Sequence, residues 1–232
     1  MESGGQPPEI LDAIVVAGGR SLRMGFDKLF VGIGGRSVLE WSVRAMLDCQ
    51  PVRRVVVVCS KGREEAVRAL VGNWQGVVGV VPGGAERSDS VAAGFRFLGG
   101  ADKTRWVAVH DAARPLVRKE AVEECFFEAR RVGAAALAVR VADTLHRTDS
   151  SGLLVETVSR ENLWQVQTPQ IIRSDWLARL LDGPGGTDEA GALLRLGLPV
   201  GLVENAFPNP KMTVPADVPM MEALAAGRPD RI

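Results

Sequence analysis

Val55-Val56-Val57-Val58 followed by Cys59 is an apolar run with no polar residue in alternation. A strand with one wet face alternates with period two, so this run fits a strand covered on both faces, as in a parallel sheet between helical layers. Further apolar runs occur at about 12–17, 77–81, 106–109, 134–140 and 199–204. Helical periodicity fills most of the gaps, at about 38–47, 64–71, 88–98, 118–131, 174–181, 187–196 and 215–226. The alternation predicts an α/β chain, a three-layer α/β/α sandwich with a mainly parallel central sheet. Ser37 and Glu40 have capping-box spacing, which sets the start of the first helix, and Pro51 stops it.

The first run empties into Gly18-Gly19-Arg20-Ser21-Leu22-Arg23-Met24-Gly25-Phe26-Asp27-Lys28. Glycines let a ligand approach the backbone closely, so several N–H groups can converge on anionic oxygens, and Arg23 and Lys28 add full charges. In an open α/β sheet, ligands bind outside the carboxyl ends of the strands. The spacing is neither G-x-G-x-x-G nor G-x-x-x-x-G-K-[ST], so dinucleotide and P-loop readings have no motif here. A second glycine loop, Pro82-Gly83-Gly84-Ala85-Glu86-Arg87-Ser88-Asp89-Ser90, follows the third run, with Ser88 or Asp89 expected as helix N-cap. Asp111 ends the fourth run. It is a candidate Mg²⁺ anchor, since Mg²⁺ takes one or two carboxylates and fills its octahedron with phosphate oxygens and water. The structural reading is that Asp111 caps a turn and pairs with Arg114.

Lysine plus arginine and aspartate plus glutamate number 28 each, so no broad affinity for nucleic acid or anionic membrane follows and a basic site must be local. Cys49, Cys59 and Cys125 lack metal-ligand spacing, and His110 and His146 are too few for a multi-histidine centre. Residues 1–9 read as a loose polar tail rather than an export signal, and no apolar run approaches the ~20 residues of a spanning helix. A cytoplasmic protein is expected.

Residues 141–170 break the alternation. Two extended segments flank Asp149-Ser150-Ser151-Gly152, a hairpin turn signal, and an isolated hairpin is barely stable in water. A second subunit is the expected cover. The stretch 160–170 reads as polar and extended, and Thr187-Asp188-Glu189 opens the next helix with acidic residues favoured by the macrodipole.

Gly83 to Val91, His110 to Pro115, Asp143-Thr144, Thr168-Pro169-Gln170 and Thr187-Asp188-Glu189-Ala190 occur in an order that makes the chain resemble the 2-C-methyl-D-erythritol 4-phosphate cytidylyltransferases over almost its whole length. The resemblance implies a Rossmann-like nucleotidyltransferase fold, residues 10–232 as one domain, and a protruding β-hairpin dimerisation arm at about 141–170. It implies transfer of a cytidylyl group from CTP to the sugar-alcohol phosphate, with Mg²⁺ or another divalent cation. Ala17, Gly18 and Gly19 would wrap the CTP, Gly84, Ser90 and Ala112 would read the cytosine, and Asp111 would lie near ribose and metal. Arg23, Lys28 and Lys211 would be the catalytic cations. Arg114, Asp143, Thr144, Arg160 and Thr168 would bind the acceptor, with Arg160 supplied by the partner of a homodimer. A ribitol-5-phosphate cytidylyltransferase shares most of these motifs but typically carries valine at the place of Ala113. A non-catalytic nucleotide-binding protein could share the fold.

Overall fold

A computed structural model describes residues 10–19, 27–183 and 188–228. The expected tail at 1–9, Arg23 and Thr187 lie outside the described residues. The chain runs through β1 (Leu11–Ala17), β2 (Gly32–Ile33), β3 (Arg36–Ser37), α1 (Val38–Leu47), β4 (Val52–Cys59), α2 (Glu64–Val71), β5 (Val77–Pro82) and α3 (Arg87–Phe97). It continues through β6 (Trp106–Asp111), α4 (Lys119–Val132), β7 (Ala134–Arg140), β8 (Leu145–Thr148), β9 (Leu154–Val158) and β10 (Trp164–Arg173). α5 (Ser174–Leu181), α6 (Glu189–Arg195), β11 (Gly201–Glu204) and α7 (Asp217–Ala226) complete it.

A seven-stranded sheet has the order β11-β7-β10-β6-β1-β4-β5. All neighbours pair in parallel except β10, which is antiparallel to both β6 and β7. The valine run in β4 divides as two-sided burial requires. Val55, Val57 and Cys59 join Leu39, Val43 and Met46 of α1 and Val67 and Val71 of α2, while Val56 and Val58 join Val91 and Phe95 of α3. Leu177 of α5 and Leu193 of α6 cover the second face, and Cys125 and Phe126 of α4 the first. The capping box forms as expected: Ser37 N–H donates to Glu40 Oε2 at 2.8 Å, and Glu40 N–H to Ser37 Oγ at 3.2 Å.

The polar stretch at 160–170 is not extended throughout: it turns between Arg160 and Leu163, whose N–H donates to Arg160 O at 3.1 Å, and from Trp164 enters the sheet interior as β10, which periodicity did not show. Between Val166 and Gln170 the pairing with β7 slips, so that Gln167, Thr168 and Pro169 stand opposite a single residue. A proline has no N–H for a ladder, and a bulge is where an interior strand can hold one. The run at 199–204 is shorter than expected and forms an edge strand, only half-buried, rather than part of the core. The hairpin β8–β9 forms its own two-stranded sheet. Its turn is held by Asp149 Oδ1, which accepts the N–H groups of Ser151 and Leu153 at 2.9 and 3.0 Å.

A smaller apolar cluster joins Ile33, Val38 and Trp41 to Met212 and to Met221 and Ala225 of α7. Met212 is fully buried, and its N–H donates to Ala113 O at 2.8 Å. This plug holds the segment after β11 against the carboxyl ends of β1 and β6.

Candidate active site

Among the described residues, two clefts open at those strand ends. The first, about 240 Å³, is walled by Ala17, Gly18 and Gly19 after β1, by Gly84, Glu86 and Ser90 of the second glycine loop, and by Lys28, Asp111, Ala113 and Lys211. The second, about 230 Å³, is walled by Arg114, Gln167, Thr168, Gln170 and Asp188. Arg87, Asp111 and Lys211 belong to both, so these three side chains form the partition.

Each follows from the fold. β6 is buried along its entire length and delivers Asp111 at its end. The Met212 plug places Lys211, whose Nζ donates to Asp111 Oδ2 at 2.6 Å. Lys28 donates to Met212 O at 3.2 Å, tying the end of the first loop to the same segment. Arg87, at the first position of α3, donates through Nε to Asp111 Oδ1 at 3.1 Å. Burial opposes the negative charge of Asp111, but Arg87 and Lys211 outweigh it and hold the carboxyl well below the usual range. Asp111 is therefore ionised with a cation on each oxygen. It pairs with Lys211 and Arg87, not with Arg114. Arg114 Nη1 instead donates to Asn209 O at 2.7 Å, and its Nε is buried without a partner among the described residues.

Ala17, Gly18, Gly19, Lys28, Gly84, Ser90, Asp111 and Lys211 converge on the first cleft, and Arg114 and Thr168 on the second. Ala112 does not reach the wall. It is fully buried, with its N–H on Val16 O at 2.9 Å and its carbonyl accepting Ser42 Oγ at 2.6 Å, and Ala113 lines the cleft instead. Asp143, Thr144 and Arg160 are exposed and line neither cleft of their own chain. Arg160 Nη1 donates to Ala142 O, which gathers the three at the base of the hairpin. The expected N-caps also differ: Glu86 caps α3, and Asp89 accepts the Glu86 N–H at 3.0 Å from the first turn.

Sequence reasoning missed Arg87, Glu189, Gln170 and Met212. Arg87 and Glu189 sit in quoted motifs, but their pairing joins α3 to α6 across 102 positions. Burial raises the pKa of all three cysteines, Cys59 to about 11, so they serve packing rather than thiol chemistry. No helix among the described residues is long and apolar enough to cross a membrane.

The family model described as IspD, 2-C-methyl-D-erythritol 4-phosphate cytidylyltransferase, matches residues 11–226. A protein of that name from Pelotomaculum thermopropionicum is 38% identical over 230 residues, covering 95% of this chain and 96% of its own. One from Desulforamulus reducens is 36% identical over 226 residues, covering 93% and 96%. The crystal structure of the Thermus thermophilus enzyme of that name superimposes with a TM-score of 0.76 at 33% identity, over 94% of this chain and 99% of the other. With the clefts and their charged partition so placed, the chain belongs to the 2-C-methyl-D-erythritol 4-phosphate cytidylyltransferase family.

Proposed function

We propose that this chain transfers the cytidylyl group of CTP to 2-C-methyl-D-erythritol 4-phosphate, giving 4-diphosphocytidyl-2-C-methyl-D-erythritol and pyrophosphate. The observation that carries the reading is the partition: two clefts meet at Arg87, Asp111 and Lys211, where a nucleotide in the first would present its α-phosphorus to an acceptor in the second. The glycine loops supply the nucleotide cradle. Arg114, with its orphaned Nε, is the natural anchor for the acceptor's phosphate. An acceptor phosphate oxygen attacks the α-phosphorus in line, and the bond to the pyrophosphate oxygen breaks. No covalent nucleophile is needed, because positioning and charge neutralisation supply most of the rate. Both reactants are anions, so Lys28, Lys211 and Arg23 offset their repulsion.

Asp111 fits a divalent cation, being a hard carboxylate at the junction of the clefts, with Glu86 lining the same nucleotide cleft. When bound, Mg²⁺ would neutralise phosphate charge. Asp111 would hold it while Lys211 turns its ammonium toward the reacting phosphates.

We assign the hairpin to a homodimer. Leu153 and Leu154 at its tip are 67% and 66% exposed, an apolar surface that a second copy would cover. Asp143, Thr144 and Arg160 lie outside their own clefts, as residues serving a partner's acceptor site would. CTP is a cytoplasmic metabolite, which supports a cytoplasmic location.

Pyrophosphate release with Mg²⁺ and CTP tests the reading, with methylerythritol 4-phosphate and ribitol 5-phosphate assayed side by side. Release with the first acceptor is expected; release with ribitol 5-phosphate alone would overturn the substrate, and silence with both would overturn the reaction.

A further inference from the structure

Arg87 and Glu189 are separated by 102 positions, yet Arg87 Nη1 donates to Glu189 Oε1 at 2.5 Å. Glu189 is 3% exposed, and its Oε2 is buried with no hydrogen-bond partner among the described residues. For stability alone this is a poor arrangement, since a packed apolar side chain often serves as well as a buried ion pair. A macrodipole role does not account for it either, because that needs no burial.

The position of Glu189 is nevertheless fixed closely. Gln170 Oε1 accepts the Ala190 N–H at 2.7 Å, and Gln170 Nε2 donates to Asp188 Oδ2 at 3.3 Å, which sets the start of α6 against β10. Two residues earlier on β10, Thr168 Oγ1 accepts the Asp111 N–H at 3.0 Å. One strand thus places both carboxylates, and Arg87 closes the ring between them. Its bonds to them use Nε and Nη1, so Nη2 carries neither. Burial opposes the charge on both partners: it raises the Glu189 carboxyl despite Arg87, while Glu189 and Asp111 together outweigh it at Arg87 and keep the guanidinium protonated.

We infer that Arg87 is a further catalytic residue, offering Nη2 to a non-bridging phosphate oxygen at the wall shared by the two clefts, and that buried Glu189 is the positioning residue that aims it. The inference rests on the cytidylyl transfer proposed above. In that step the acceptor oxygen bonds to the α-phosphorus and pyrophosphate leaves with the electron pair of the broken bond. Arg87 gives up no proton. It supplies a fixed charge that is already oriented when the two anions meet, so its effect falls on kcat rather than on CTP affinity.

The test is a double-mutant cycle of Arg87→Ala and Glu189→Gln. Pyrophosphate release is measured with CTP and methylerythritol 4-phosphate, and CTP affinity by calorimetry. Arg87→Ala is expected to lower kcat by ~10²-fold with CTP affinity changed less than ~3-fold. Glu189→Gln is expected to lower kcat by ~10-fold in the parent and by less than ~2-fold once Arg87 is gone. Losses that multiply would give Glu189 an independent structural role and overturn its assignment, and a kcat within ~2-fold of the parent in Arg87→Ala would overturn that of Arg87. If Arg87→Ala does not fold because it strands Glu189, the double variant lacks both charges and takes its place, with kcat ~10²-fold below the parent expected. An inactive parent would instead sink the reaction itself, and the inference with it.

Discussion

Thr168 Oγ1 accepts the Asp111 amide N–H at 3.0 Å, joining the bulge of β10 to the end of β6 across 57 positions. The same hydroxyl lies 3.2 Å from His110 Nδ1. His110 Nε2 faces Arg114 O at 3.1 Å, and a carbonyl only accepts, so Nε2 carries the ring proton and Nδ1 takes the Thr168 O–H. The Thr168 hydroxyl is thereby committed in both directions, which makes it a support for Asp111 before it is a contact for substrate.

Thr168→Val keeps the shape and removes both bonds. It leaves a buried backbone N–H unpaired, so a loss of ~1–3 kcal/mol in urea unfolding is expected. Turnover should fall ~10-fold as Asp111 loses its orientation, and Thr168→Ser should restore most of both.

Lys211→Ala removes a cation from the partition without touching either glycine loop. Turnover should fall by ~10²–10³-fold while CTP still binds, since the charge matters most in the transition state. Single-turnover kinetics with a parallel CTP titration check this, and a fall in affinity alone would contradict it.

Gly84→Ala should act on the nucleotide. A Cβ at Gly84 would stand 2.3 Å from Asp89 Cβ, and Asp89 holds the first turn of α3 through the Glu86 N–H. The loop must shift, so the KM for CTP should rise at least ~10-fold with little change in that for the acceptor.

His110 links stability to pH. Burial lowers its pKa to about 4, against the partial opposition of the Asp111 carboxylate and the Arg114 carbonyl. The unfolded chain binds the proton near pH 6.5 while the folded chain resists until about 4, so the stabilisation is present above pH ~6.5 and is lost as pH falls toward 4. Denaturant unfolding should show a loss of about 1 kcal/mol from this group between pH ~7.5 and ~5.5, and His110→Gln should flatten that slope.

The hairpin offers a concentration-dependent check. A dimer built on Leu153 and Leu154 should weaken when both are changed to Ser, and sedimentation at micromolar concentration should then show monomer. Arg160→Ala should raise the KM for the acceptor more than that for CTP.

What the sequence determined was local. The valine run of β4, the capping box at Ser37 and Glu40, and the glycines after β1 and β5 express the preferences of a few neighbouring residues for a two-faced strand, a helix start or an open loop. Motif order carried the family. Tertiary structure decided the rest, because the remaining signals lie in pairs far apart along the chain. The stretch around Thr168 looks polar, yet as β10 it enters the sheet centre because its polar groups meet Asp111, Asp188 and α6. Glu189 has the look of a solvated first-turn acid, yet it is buried, and the approach of Arg87 from α3 gives its carboxyl a partner. A buried charge is tolerated when an opposite one is brought to it, and which one is brought depends on how the strands are ordered.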